Sequence, residues 1–272
     1  MTGARKVWIA ALLLWSLAPM IWQIYTSFCS SEALVQPLAN IGQQWTLDNY
    51  RQVLNSDPPF WRYILNSSFV GASTTVLTLV LAIPAAYSIA RVPPRLARAT
   101  KLFLLAAALF PYVLLFLALL ELARTLNLGN NLLALTLPYA ALSMPLAVLL
   151  LSSAFEDLPV ELEEAARLEG LGLWQRLRWI LIPLITPATA STAILVFLFS
   201  WNEYPIALTW ISRSELLTLP VAMARIAGSS IYSIPYGAFA AATVLGALPL
   251  VLLVLIFQRQ IVSGLTNGAV KG

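Results

Sequence analysis

The chain has no histidine, a single cysteine, and charged residues at 10% of its 272 positions. Without histidine, neither a His-ligated metal site nor a Ser-His-Asp triad can be built. A lone cysteine, Cys29, excludes an intramolecular disulfide. Tyr25, Thr26, Ser27 and Phe28 lack the small residue that a lipoprotein cleavage site places before its cysteine, so Cys29 reads as a free thiol near a membrane boundary. No G-x-x-x-x-G-K-[ST] loop is present, so the chain cannot cradle ATP phosphates itself. What is abundant is apolar: 60% of residues are hydrophobic, against about 45–50% apolar and about 25% charged in soluble domains. That balance excludes a soluble globular protein, a disordered chain and a fibrous repeat, and indicates an all-α, polytopic membrane protein. The net charge of +4 belongs with the positive-inside rule, so nucleic acid is not an expected partner, whereas membrane lipid is.

A spanning helix takes about 20 mostly apolar residues. Six runs qualify: 7–28, 63–90, 102–122, 132–154, 184–211 and 237–257. The first is long for the apolar part of a signal peptide and reads as an uncleaved span. Residues 30–60 form an external loop, 91–101 (RVPPRLARATK) a short basic turn, 123–131 a polar loop, 212–236 a loop, and 258–272 a tail. The chain thus divides into a first span with its loop (1–60) and a core (61–272). In the second span Asn66, Ser67, Ser68, Gly71, Ser73, Thr74 and Thr75 allow close helix approach and interhelical hydrogen bonds. Pro84, Pro111, Pro138 and Pro145 place kinks, whether passive or used in motion. With the N-terminus inside, Arg5, Lys6, Arg91, Arg95, Arg98, Lys101, Arg167, Arg176, Arg178, Arg259 and Lys271 are cytoplasmic. Arg51, Arg62, Arg124, Arg213 and Arg225 are external, so the split of the 16 basic residues is eleven to five and favours both termini inside.

Residues 155–183 (FEDLPVELEEAARLEGLGLWQRLRWILIP) are the longest charged stretch. Asp157 is the expected N-cap, Pro159 suits a first turn, and Glu161 and Glu163 suit the positive helix end. The helix should run to about Glu169 and stop at Gly170 and Gly172, with a second amphipathic helix over 173–181. Two readings stay open at this point. Ala165 and Ala166 admit a close partner surface and Glu164 offers it a carboxylate for a bidentate arginine. Alternatively this is a solvated loop with a Glu163–Arg167 pair worth a few tenths of a kcal/mol.

Glu164-Ala165-Ala166, then Gly170, then Ile182-Pro183 resembles the EAA motif of ABC importer permeases, with Glu169 where that family has an aspartate. Ala86-Tyr87-Ser88-Ile89-Ala90-Arg91 resembles the family's AYxxAR helix end, and Trp201-Asn202-Glu203-Tyr204 its WNE(F/Y) element. The ending Gly264-Leu265-Thr266-Asn267-Gly268-Ala269-Val270-Lys271-Gly272 resembles that of MalG-like subunits. Together these cover roughly residues 60–272.

The resemblance implies the type I ABC importer permease fold with six transmembrane helices and both termini cytoplasmic. It implies a non-catalytic membrane subunit for a sugar or sugar-like solute (oligosaccharide, glucoside or polyol). Implied partners are a MalF-like permease in a heterodimer, two ATPase subunits that bind ATP and Mg, and an extracytoplasmic solute-binding protein. Glu164, Ala165, Ala166, Glu169 and Gly170 would couple to an ATPase. The loop carrying Gly228, Ser229 and Ser230 would contact the binding protein, or be an ordinary external loop. Trp201, Asn202, Glu203 and Tyr204 either line the translocation pathway or fix packing. The chief alternative is an ion-coupled secondary transporter or channel subunit, for which the span-embedded acids, Glu121 and Glu203, sit near external ends.

Overall fold

The computed structural model describes residues 3–30, 45–228 and 235–269. Among these it is helical, with one isolated antiparallel bridge between Cys29 and Trp45. Four helices are long and apolar enough to cross a membrane, or up to six if each of two bent pairs counts as one span. The chain divides into two compact units, Met1–Leu65 with Leu217–Val251, and Asn66–Leu216 with Leu252–Gly272.

In the first unit, α1 (Gly3–Ser27) presents an apolar window with none of its residues buried. A helix apolar all round stays in place only where lipid or another protein covers it. Its end is tied to α2 (Asp48–Leu54): the Asn49 amide donates to the Ser27 and Cys29 carbonyls at 2.9 and 2.8 Å, and Tyr50 bonds Ser27 at 2.7 Å. Cys29 is buried, its thiol on the Tyr25 carbonyl. Residues 217–227, expected within a loop, instead contain helix α11 (Leu219–Ala227), with Leu219, Val221 and Ala222 buried. The last helix, α12 (Tyr236–Ala269), runs well past the expected end at 257, so much of the expected tail is helical; residues 270–272 lie outside the described residues. A Cβ on Gly237 would stand 2.5–2.8 Å from the Asn49 amide group. Gly237→Ala is therefore expected to displace that amide from its two carbonyls and cost ~1–2 kcal/mol, read as a lowered unfolding midpoint.

The second unit carries most of α3 (Phe60–Arg91), then α4 (Pro94–Ala108), α5 (Phe116–Thr125), α6 (Leu132–Glu156), α7 (Val160–Leu168), α8 (Leu173–Leu184), α9 (Thr186–Asn202) and α10 (Pro205–Trp210). The expected basic turn at 91–101 is mostly helix, because α4 starts at Pro94 with proline in the first turn. The third span is broken: α4 and the segment Tyr112–Thr125 meet at 76° beside Pro111. The fifth is also not continuous, since α9 ends at Asn202 and α10 begins at Pro205. Asn131 caps α6 by accepting from the Leu133 and Ala134 amides, while the Asn130 carboxamide oxygen accepts from the Ser212 and Arg213 amides. Side-by-side packing follows the small residues: the Phe197 ring lies against Gly71, and Ser200 reaches Thr74 at 3.5 Å. The core gathers Ala82, Ala86, Ala147, Leu151, Phe155, Leu177 and Leu181, all buried.

Candidate functional site

The charged stretch folds as an elbow. α6 continues to Glu156, so Asp157 ends that helix rather than starting the next, and Pro159 stands at the N-cap of α7 with φ −57 and ψ 132. A proline cannot extend α6, and the residue before it is pushed out of the helical region. α7 closes with the paired bonds of a left-handed stop: Gly170 N–H donates to the Arg167 carbonyl at 3.0 Å and Leu171 N–H to the Ala166 carbonyl at 3.1 Å. Gly170 has φ +81, a conformation glycine takes without strain. The Gln175 side chain then accepts from the Gly172 amide at 2.8 Å and starts α8. α8 holds a π-turn over Leu177–Leu181 and meets α9 at 81°.

The inner face of the elbow is fastened by Glu163, in a role the sequence reading did not give it. Glu163 is 2% exposed. It forms its ion pair with Arg91 at 2.5 Å, accepts from Arg91 Nε at 2.6 Å and from the Tyr87 hydroxyl at 2.9 Å. Arg91 also donates to the Phe155 carbonyl at 3.3 Å. The Glu163–Arg167 pair of the solvated-loop alternative gives way to this longer-range one, because the helix turns Glu163 inward toward the end of α3. Arg176, on α8, is also buried. Its Nε and Nη1 have no hydrogen-bond partner among the described residues. Glu163 is thus a buried carboxylate held by the half-buried Arg91 and by Tyr87.

Ala166 is buried beside Glu163, so it brings α7 close to its own chain's core and offers no outer contact. Glu164, Ala165, Glu169 and Gly170 remain on the exposed side. They are joined there by Leu168, 90% exposed, and Trp174. The outer side of the elbow thus carries two exposed apolar side chains and the carboxylates of Glu164 and Glu169. Sequence patterning held a signal for both faces: Glu163 and Ala166 are three apart and share one side, Glu161, Glu164 and Leu168 the other.

The second cluster lies at the break between α9 and α10. Glu203 is extended (φ −68, ψ 128) and buried. Its carboxylate accepts from Tyr139 Oη at 2.5 Å and from the Ile206 and Ala207 amides at 2.9 and 3.2 Å. It satisfies the orphan donors at the start of α10. Trp201 is buried and stacks on Phe197, Tyr204 is half-buried, and Asn202 is exposed with its amide turned back to the Leu198 carbonyl. Four adjacent residues therefore point to different surroundings. Gly228 forms the end of α11, while Ser229 and Ser230 lie outside the described residues.

The family described as binding-protein-dependent transport system inner membrane component matches residues 60–267. The chain belongs to that family. It is a multi-pass inner-membrane transport component, and nothing in its relatives supports the ion-coupled alternative. Similar proteins include the sulfoquinovosyl glycerol transport permease of Agrobacterium fabrum, 36% identical over 98% of this chain and 93% of that one. The trehalose transport permease of Mycobacterium tuberculosis is 37% identical, covering 99% of this chain and all of its own length. The trehalose/maltose permease of Thermococcus litoralis is 37% identical over 94% and 92%. In fold, the permease resembles a chain of a bacterial ABC transporter involved in alginate import, with TM-score 0.78 and 22% identity over 94% of each chain.

Proposed function

We propose that this permease passes a sugar or sugar-like solute through the membrane while two separate ATPase subunits, binding ATP and Mg, drive it through the elbow. The observation that carries the coupling reading is the elbow itself. Its inner face is pinned to α3 by Glu163, Arg91 and Tyr87, and its outer face offers Leu168, Glu164 and Glu169. A push on Leu168 and Glu164 is then delivered to a helix long enough to span the membrane. That is what alternating access requires of a lever: two arrangements, biased by closure of the motor. Glu164 is the ion-pair partner for an ATPase arginine, and Gly170 sets the angle of the elbow.

The solute class rests on the relatives, which are named as transport permeases for sulfoquinovosyl glycerol, trehalose, and trehalose and maltose. A MalF-like second permease completes the path, a solute-binding protein delivers from outside near Gly228, Ser229 and Ser230, and both termini lie in the cytoplasm. Six spans follow if each bent pair counts as one.

Extraction of the tagged permease in mild detergent, with mass spectrometry of what co-purifies, tests this assembly. Wild type is expected to bring down an ATPase and a second permease, and Gly170→Arg to lose the ATPase while keeping the permease. A space-filling residue at φ +81 opens the turn, since a left-handed residue other than glycine costs ~1–2 kcal/mol, and the long cation intrudes on the docking face. Recovery of the chain alone, from membranes whose known importers survive the same extraction, overturns the reading.

A further inference from the structure

We propose that a groove between α4, α6 and the end of α3 is a binding site for one anionic phospholipid. The groove encloses about 590 Å³ and lies wholly within the second unit. Its α4 wall presents Arg98, Lys101, Leu102 and Leu105. These are at i, i+3, i+4 and i+7, so they share one helix face. Along that face the chemistry changes from cationic to apolar over seven residues, about 10 Å at 1.5 Å per residue. The α6 wall changes in step, from Glu156 to Leu149, again seven residues apart. The α4 and α6 walls are therefore each charged at one end and hydrocarbon at the other, as a lipid is, while Ile89, Ala90 and Val92 at the end of α3 close the groove with apolar side chains.

The charge at the polar end selects the headgroup. Lys101 pairs with Glu156 at 2.5 Å, which balances one cation. Arg98 is exposed and has no ion-pair partner among the described residues. Arg91, the nearest basic residue on α3, is already committed to Glu163. A guanidinium fork matches two phosphate oxygens, and basic pockets between spanning helices are suited to anionic headgroups. The apolar end selects a lipid over a free anion. Leu102 and Phe103 on α4 are 67% and 71% exposed, and Leu109 beyond them 74%. Acyl chains continue from the groove onto that surface, whereas inorganic phosphate gains nothing from it.

This site depends on the permease lying in a membrane and not on the elbow docking an ATPase. The test uses the permease with its co-extracting subunits, exchanged into an equimolar mixture of phosphatidylglycerol and phosphatidylcholine, with bound lipid counted by native mass spectrometry. Phosphatidylglycerol should be retained in preference. Arg98→Glu should lower its retention about ten-fold, the worth of a charge-assisted hydrogen bond. Leu105→Trp, which fills the hydrocarbon end, should lower it without removing charge, and Arg124→Glu, on α5 away from the groove, should not. Both groove residues are exposed, so the variants are expected to fold. Equal retention of the two lipids, or full retention by Arg98→Glu, overturns the proposal. So does a rise in unfolding midpoint with inorganic phosphate equal to that with phosphatidylglycerol, which would make the groove a soluble-anion site.

Discussion

Glu163→Ala is expected to release the elbow from α3 and abolish transport. The carboxylate is buried and holds Arg91 and Tyr87. Removing it leaves the half-buried Arg91 guanidinium with no anion, and loss of one partner of a buried pair costs ~3–5 kcal/mol, with partial exposure of Arg91 placing this case at the lower end. α7 has nine residues, too few to persist as a helix in water without its packing. The elbow should therefore detach before the rest of the unit unfolds. Limited proteolysis is expected to cut between α7 and α8 in the variant and spare wild type. Uptake should vanish even where the chain remains in the membrane. The exchange Glu163→Arg with Arg91→Glu restores one ion pair with its direction reversed, and should recover part of the protection and part of the uptake. An elbow as protected in Glu163→Ala as in wild type would show that the pair does not hold it.

Glu203→Ala is the second large effect expected, and it separates two roles for that carboxylate. Three donors converge on it: the Tyr139 hydroxyl and the Ile206 and Ala207 amides. Each buried donor left without an acceptor costs ~1–3 kcal/mol, so the variant should lose at least ~3 kcal/mol, seen as a lower unfolding midpoint and poor membrane yield. Tyr139→Phe removes one donor along with its need, and should cost about 1 kcal/mol. The double variant should cost less than the sum, because the residues share a bond. If Glu203 instead touched the solute, Glu203→Ala would fold normally and change which sugar is taken up. That result would move the residue from a helix-fastening role to the pathway.

The prolines show why boundaries were legible in some spans and not in others. Pro84, Pro138 and Pro145 sit inside unbroken helices, yet the chain breaks beside Pro111. The residue type is the same in each case. Pro138 is buried and Pro84 and Pro145 are half-buried, so neighbours steady the helix around the freed carbonyls. Pro111 stands in an exposed stretch and the helix turns there, whereas Pro19, equally exposed, sits inside the unbroken α1, so burial steadies Pro84, Pro138 and Pro145 but does not by itself decide the break. Residue type likewise did not settle Asp157, a good cap by type that the extended α6 consumed.

The sequence by itself determined the class of molecule, the positions of the apolar runs, the helix–glycine–helix stretch and the left-handed stop at Gly170. Each of these depends on neighbours within a turn or on composition summed over a window, and both are local. The tertiary structure alone decided that Glu163 faces Arg91 rather than Arg167, that Ala166 turns inward while Leu168 stands out, and that Glu203 fastens α10. Arg91 and Glu163 are 72 residues apart and Tyr139 and Glu203 are 64 apart. Neither pairing leaves a periodic trace along the chain, because each is fixed by which helices pack together and by the cost of leaving a buried charge unmatched.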